Sequence, residues 1–324
     1  MYFWDITLIY FRDARSSISF FAKHFCNDSD CVLVPEFICR ELTDAMRKYR
    51  IEIQYYSVSF DQFGELDINI GEINFGNVGV CVIVNYFGRL HRANNNLIEA
   101  CVTRQIKLIE DDTHILHHSK SPTICDVRVD SRRKILGSRF GSAACTSDAL
   151  FRAGLDDENA IVEGEAYGLE RFNFISDLVH FFKTSLILRL LMTKWNVPSV
   201  RYLFDNRSGK ITSRGLVPIH VPEVSMEKLS KVRRRLLSIR PSVDDLLAPY
   251  GLVSIDRGAS MRGLVWRFWY MKTRDVVLPR FLRIDLLRYC ELCSWPNLPS
   301  DIQDCSIARS LETKIVCVQV LHSP

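Results

Sequence analysis

The sequence has no long apolar segment, few glycines and prolines, and no marked excess of charge of either sign. Its most apolar helical stretch, near 178–192, is interrupted by Lys183 and Arg189, whereas a membrane span needs about 20 consecutive apolar residues. With 15 Gly and 11 Pro among 324 residues, a disordered, collagenous or low-complexity chain is excluded. The 47% hydrophobic and 25% charged residues predict a soluble globular protein of one large domain or two ordinary ones.

The small charge excess and the absence of nucleotide-binding motifs exclude further functional classes. The 42 Lys and Arg exceed the 38 Asp and Glu by only four, which is too little to require a nucleic-acid or anionic-membrane partner. The sequence contains neither G-x-G-x-x-G nor a Walker-type loop, so dinucleotide dehydrogenases and nucleotide hydrolases lack their usual motif. We therefore expect no nucleic-acid partner and no membrane association.

Eleven cysteines are scattered through this long chain instead of being concentrated in a small domain. The N-terminal segment has no basic region and carries an acidic residue in its apolar run, so it is a poor signal peptide. We therefore expect free thiols and a cytoplasmic location. Cys290 and Cys293 form a C-x-x-C without a second pair, and the group His114, His117 and His118 lacks further ligands at suitable spacing. No metal site is predicted.

The first half of the chain alternates predicted helices with predicted β-strands. Helical spacing predicts helices over 16–25, 40–49 and 97–103, and β-rich apolar runs predict strands over 31–34, 51–58, 78–84 and 106–109. In the second half, the pattern predicts helices over 173–193, 225–239 and 280–290 and a last strand over 314–320. This alternation implies crossover units and an α/β fold with a parallel sheet that helices cover on both sides.

Polar segments lie where open parallel sheets bind ligands, which is outside the carboxyl ends of the strands. They are Asn85–Gly88 after one predicted strand, Glu110–His114 after the next, Ser131–Lys134, and Asp13–Ser17 at a helix N-terminus. Each alone is more often a solvated loop, a basic surface or a helix cap, and both serines of the last segment are ordinary N-cap residues. Their order along the chain is more informative than any one of them.

In this order, residues from about 10 to 144 resemble the cofactor-binding domain of fold-type I pyridoxal-phosphate (PLP) enzymes. The DegT/DnrJ/StrS group of sugar aminotransferases is the most similar. Val32–Pro35 and Val84–Gly88 are similar to the strand-end motifs of that family, and Ile109–His114 matches its Ile-Glu-Asp-x-x-His/Gln signature. Ser131 and Lys134 match its Ser-x-x-Lys motif.

The resemblance implies a fold-type I architecture. Residues 1–150 would form the core of the PLP-binding large domain, with a mainly parallel sheet flanked by helices. Residues 151–324 would form a divergent remainder that includes a smaller C-terminal α+β domain. Two departures are that Ala14 and Arg15 replace a glycine-bearing turn of the family, and that its pattern cannot be traced between about 151 and 280.

The resemblance also assigns roles to particular residues. Lys134 would be the catalytic lysine that attaches the cofactor and then moves a proton between carbon atoms. Asp111, rather than Asp112, would face the pyridine nitrogen and keep it protonated. His114 falls where the family has a Gln or His beside the ring.

The cofactor phosphate would be held at the start of the first predicted helix. Arg15 and Ser16 lie there, where free N–H groups and a positive partial charge favour anions. Ser131 would supply a hydroxyl to the same phosphate.

The implied reaction transfers an amino group from an amino acid such as glutamate to a keto-sugar, which we expect to be nucleotide-linked. Enzymes of this fold build each site across a two-fold interface, which implies a homodimer. The departures keep open an alternative, a non-catalytic fold-type I homologue that serves as a binding or scaffold subunit. A lyase or dehydratase on the same cofactor is a weaker alternative, and Lys134 argues against a dehydratase that lacks the lysine.

Overall fold

The structure is a computed structural model that describes about 60% of the chain. The described residues are 7–11, 13–89, 91–116, 125–131, 142–146, 166–168, 217–219, 226–255, 264–265, 267–274, 290–293, 296–303 and 306–320. Lys134, the predicted helix over 173–193 and residues 280–289 lie outside them.

The described elements are 17 strands, five α-helices and three short 3-10 helices. The strands are β1 Thr7–Phe11, β2 Cys31–Pro35, β3 Glu52–Tyr56, β4 Ser59–Phe60, β5 Leu66–Asp67, β6 Val78–Val84, β7 Lys107–Asp112, β8 Ile115–Leu116, β9 Val127–Asp130, β10 Ser142–Thr146, β11 Ala166–Gly168, β12 Val217–Ile219, β13 Leu252–Ser254, β14 Leu264–Val265, β15 Arg267–Lys272, β16 Cys290–Cys293 and β17 Ile315–Val320. The α-helices are α1 Ala14–Phe25, α2 Arg40–Lys48, α3 Arg92–Thr103, α4 Met226–Leu247 and α5 Ile307–Lys314. The 3-10 helices are Ile70–Glu72, Tyr86–Gly88 and Ala248–Tyr250.

A seven-stranded sheet forms the centre of the fold, in the order β1-β10-β9-β7-β6-β2-β3. The five strands from β9 to β3 are parallel, and β10 is antiparallel to both of its neighbours. Strand β6 is central and almost completely buried, as expected for a continuous apolar run in a parallel sheet. The predicted α/β fold with a mainly parallel sheet is confirmed.

Helices α1, α2 and α3 flank this sheet. Helix α1 buries Ile18, Phe21 and Ala22, which fall on one helical face. Helix α3 buries Leu97 and Cys101, four residues apart, against β6 and β7. The helices therefore cover the apolar strands in the way that crossover connections require.

A second, antiparallel sheet of four strands, β13-β15-β17-β16, lies in the C-terminal part. Helix α4 packs beside it and buries Leu236, Val243 and Leu247. The short strand β14 pairs with β8, which follows β7. The C-terminal part of the chain therefore reaches the carboxyl edge of the central sheet.

Several predicted boundaries are wrong. Helix α1 begins at Ala14, and its N-cap is Asp13 rather than Ser16 or Ser17. Strand β7 continues through Asp112 instead of ending at Ile109, because its last residues pair on both sides, with β6 and with β9. Helix α3 begins five residues earlier than predicted, and α4 extends beyond 239 to Leu247.

No α-helix in the described ranges combines the length and the apolar character that crossing a membrane requires.

Candidate active site

The carboxyl ends of β6, β7 and β9 meet at one edge of the central sheet. The parallel register aligns Val84 with Asp111 and Asp112 with Asp130. Asn85 directly follows β6, and Ser131 directly follows β9. The structure therefore brings together two of the four polar segments that the sequence singles out, Asn85–Gly88 and Glu110–His114, and the first residue of a third, Ser131.

Asp111 is a buried carboxylate near the end of β7, and 8% of its surface is exposed. Its Oδ1 accepts a hydrogen bond from the Thr113 backbone N–H at 2.9 Å, which helps to orient the carboxylate. Burial raises the pKa of the Tyr86 phenol well above its ordinary value of about 10, and the negative charge of Asp111 adds to the effect. Tyr86 therefore remains neutral beside Asp111 and donates its O–H to Phe37 O at 2.7 Å.

Glu110 and Asp112 lie on the other face of β7, because successive side chains of a strand alternate. The Asn85 side-chain amide donates to Glu110 Oε1 at 2.9 Å and also to Asp112 Oδ1. Arg128 Nε lies 4.0 Å from Asp112 Oδ2 and supplies a compensating positive charge. This face of the strand end is a buried polar network.

His114 lies against an aromatic group. Its ring centroid is 4.9 Å from that of Trp269, which is in turn 5.2 Å from Phe87. Trp269 belongs to β15 and is fully buried. The C-terminal sheet thus contributes one wall to the candidate site, next to His114.

Phe87 has a left-handed backbone conformation, with φ of 58°. Bulky residues rarely adopt this region, and it stores strain. The following residue, Gly88, also has positive φ, at 75°. The strained turn places the Phe87 ring against Trp269, and strain of this kind is frequent at functional sites.

The start of α1 has two features that suit a phosphate and one that opposes phosphate binding. The first amide groups of a helix have no intrahelical partner, and Ser17 Oγ is fully buried without a hydrogen-bond partner in the described part of the chain. However, Asp13 accepts from the Ser16 N–H at 2.9 Å and from its hydroxyl at 3.0 Å. Arg15 Nη2 lies 3.5 Å from Asp13 and partly offsets that charge.

These residues fit PLP in their chemistry. A buried carboxylate, Asp111, suits a protonated ring nitrogen, and Ser131 is buried at the end of the adjacent strand. The unsatisfied hydroxyl of Ser17 suits an anionic oxygen. Lys134, predicted three residues after Ser131, lies outside the described residues, as do His117 and His118. Across the described ranges, no group of three or more His, Cys, Asp or Glu is arranged to hold a metal ion.

Sequence reasoning missed Arg128 and Trp269 as residues of this region. Ser17 belongs to the predicted segment Asp13–Ser17, but only the structure shows that its side chain lies on the buried face of α1. Arg128 lies between Val127 and Val129 in β9, where the sequence alone does not show its partner. The structure places it 4.0 Å from Asp112. Trp269 is far away in the sequence, and no local signal places it against His114.

The chain has the fold of fold-type I PLP-dependent enzymes. It is similar to the aminotransferase TlmJ from Streptoalloteichus hindustanus, with 13% identity and a TM-score of 0.59 over 97% of this chain and 80% of that one. It is also similar to PseC from Helicobacter pylori, an aminotransferase involved in the biosynthesis of pseudoaminic acid. The identity is 9% and the TM-score is 0.58, over 97% of this chain and 81% of PseC. A third similar structure is a DegT DnrJ EryC1 StrS aminotransferase from Brucella abortus. Its identity to this chain is 14% and the TM-score is 0.53, over 97% of this chain and 80% of that one.

These likenesses show a shared fold. No family model matches the chain, and no curated protein matches it either. The chain is shorter than these aminotransferases, and it spans 62% of the length of a putative aminotransferase from Clostridium difficile.

A buried histidine supports the turn that carries Phe87. His91 Nε2–H donates to Tyr86 O at 3.1 Å, and Nδ1 accepts from the Leu66 N–H at 3.2 Å. These two roles require the neutral ring. Burial lowers the pKa of His91 below its ordinary value of about 6.5.

We therefore expect stability to fall as the pH drops below about 6.5. There the unfolded chain binds a proton on His91 that the folded chain does not, so unfolding becomes more favourable by up to about 1.4 kcal/mol per pH unit. Urea unfolding between pH 7.5 and 5 measures this slope. His91→Gln should reduce it, whereas His24→Gln, at an exposed position, should not. An identical slope in His91→Gln would contradict the expectation.

Proposed function

We propose that the protein is a PLP-dependent aminotransferase that moves an amino group from an amino acid to a keto-sugar. The observation that carries the proposal is Asp111, a buried carboxylate at the carboxyl end of a central parallel strand. Ser131 follows the neighbouring parallel strand β9, and the fold is one that PLP-dependent aminotransferases share. The match of Ile109–His114 to the family signature supports the same function.

When bound, PLP supplies an aldehyde that captures amines and a ring that withdraws electrons. Asp111 would hold the proton on the ring nitrogen, because its carboxylate is buried and already oriented by the Thr113 N–H. His114 would lie beside the ring, held in place by Trp269.

Lys134 would attach the cofactor and transfer the proton between carbon atoms. Its amine must be neutral to act as a nucleophile and as a base. Ser131, Arg15 and Ser16 would bind the phosphate, together with the unsatisfied hydroxyl of Ser17.

The sugar substrate, the domain division and the assembly are parts of the same proposal. PseC, an aminotransferase of this fold, is involved in the biosynthesis of pseudoaminic acid. Together with the match of Ile109–His114 to the sugar-aminotransferase signature, this supports a keto-sugar acceptor, nucleotide-linked in the form we favour. Residues 1–150 would bind PLP, and 151–324 would include the small C-terminal domain. The active form would be a cytoplasmic homodimer.

A direct test is amino transfer by the purified protein loaded with PLP. With glutamate and a nucleotide-linked 4-keto-sugar, we expect formation of 2-oxoglutarate and of the amino sugar, measured by mass spectrometry. A protein that binds PLP but transfers no amino group from any amino acid would contradict the proposed reaction.

A non-catalytic homologue is the second candidate, and Asp13 is the observation that favours it. An anionic cap at the start of α1 repels a phosphate and occupies the Ser16 N–H. If the protein is a scaffold subunit, it will not acquire a visible absorption band at saturating PLP. The aminotransferase proposal expects this band in the near-violet region.

A further inference from the structure

One residue, Asn85, is bonded to all three acidic residues at the end of β7. Its side-chain Nδ2 donates to Glu110 Oε1 at 2.9 Å and to Asp112 Oδ1. Its backbone N–H donates to Asp111 O at 3.2 Å. The two flanking carboxylates and the backbone of the central residue therefore all accept hydrogen bonds from Asn85.

The orientation of this amide is fixed by a second asparagine. Asn94, on α3, donates from Nδ2 to Asn85 Oδ1 at 3.1 Å and to Val84 O at 3.0 Å. The oxygen of the Asn85 amide is thereby engaged, and its NH₂ group must face the two carboxylates. Both asparagines are at least 97% buried, so water does not replace these bonds.

The network controls the direction of Asp111 through strand alternation. Because Glu110 and Asp112 are held on one face, Asp111 must point to the other face. Two buried carboxylates on one face repel each other, and donors from Asn85, with Arg128 near Asp112, offset that repulsion. Without these donors the strand end would rearrange to separate or solvate the charges, and Asp111 would move with it.

We infer that Asn85 is a positioning residue that fixes Asp111 in the orientation needed to face the ring nitrogen of the cofactor. The inference rests on the proposed function, and it adds a residue that acts on the cofactor only through Asp111. It implies that the orientation of Asp111 depends on the NH₂ group that Asn85 directs at the two carboxylates, and less on the size of the Asn85 side chain.

The test uses Asn85→Asp, which keeps the shape of the side chain but replaces the donor with a third carboxylate. The full-length protein is titrated with PLP, and both the dissociation constant and the pH midpoint of the visible absorbance are measured. We expect at least about tenfold weaker binding and a midpoint shifted by about one pH unit or more, the size that one lost charged hydrogen bond produces. The matched control is Asn96→Asp, at an exposed position of α3, which should leave both values unchanged.

A double variant separates positioning from general damage. In Asn85→Asp combined with Asp112→Asn, the amide and the carboxylate exchange positions, so an amide again faces a carboxylate. The number of acidic side chains at this edge is then the same as in the wild type. We expect it to recover PLP affinity to within about threefold and to return the pH midpoint, as in a coupled pair. Should Asn85→Asp alone fail to fold, the double variant and wild type still give the comparison.

The outcomes separate the inference from the proposed function. If wild type binds no PLP, the proposed function fails and the inference falls with it. If wild type binds PLP but Asn85→Asp binds it equally well with the same pH midpoint, only the inference fails. A double variant that folds but shows no recovery also overturns it, because the loss would then not depend on pairing a donor with a carboxylate.

Discussion

Replacing Lys134 with alanine is expected to abolish covalent attachment of PLP and to reduce amino transfer at least about a thousandfold, because this residue would act as both nucleophile and proton carrier. Borohydride reduction of the PLP-loaded wild type, followed by peptide mass mapping, should place a phosphopyridoxyl adduct on Lys134 and on no other lysine. Lys134→Ala should show no such adduct at any concentration of PLP.

The matched control is Lys231→Ala, at an exposed position of α4, which should keep the adduct and the activity. Lys134→Ala is expected to remain folded, since most single substitutions lower the free energy of unfolding by only about 0.5–3 kcal/mol. An adduct spread over several surface lysines would instead mean that Lys134 only extends the basic sequence Arg132–Arg133. The scaffold function would then account better for the protein.

Replacing Asp111 with asparagine should reduce amino transfer about a hundredfold or more while some PLP binding remains. The neutral amide no longer stabilises a proton on the ring nitrogen, and the electron sink is weakened. Steady-state rates and the visible spectrum of the bound cofactor measure the two effects separately.

Asp112→Asn is the matched comparison at the adjacent position. Asp112 is fully buried. Its side chain lies on the face of β7 opposite to that of Asp111, next to Asn85 and Arg128. We expect its substitution to lower the free energy of unfolding by about 1–3 kcal/mol and to affect amino transfer much less than Asp111→Asn. Equal losses of activity in both variants would mean that the assigned register across Glu110–His114 is wrong.

The central strands could be predicted because their physical signal is local. Strand β6 has the predicted bounds Val78–Val84, since a strand buried on both faces must be apolar at nearly every position. The sequence predicts the end of β7 three residues too early, because Glu110–Asp112 has the composition of a solvated loop. Asn85 and Arg128, from neighbouring strands, are what make three consecutive buried acids acceptable.

The start of α1 shows a different limit. The sequence Asp13–Ser17 contains three residues that can cap a helix, and composition alone does not choose among them. In the structure Asp13 caps the helix, and Ser17 lies on the buried face. This choice also decides which groups are available to an anion. The sequence therefore predicts a candidate phosphate site at the start of α1, but it does not identify the groups that are free to bind the anion.

The contact between His114 and Trp269 could not be predicted at all. It depends on the pairing of β8 with β14, whose residues are separated by about 150 positions in the chain. The motifs that resemble those of aminotransferases lie in the first half of the chain. None of them includes Trp269, which forms the wall of the site that the C-terminal sheet contributes.

The measurement that tests the account most directly is a crystal structure of the protein with PLP bound. We predict that the ring nitrogen lies within about 3 Å of an Asp111 carboxylate oxygen, a charged hydrogen bond, at the edge where β6, β7 and β9 end. A cofactor bound elsewhere, or bound here with Asp111 turned away from the ring, would contradict the account.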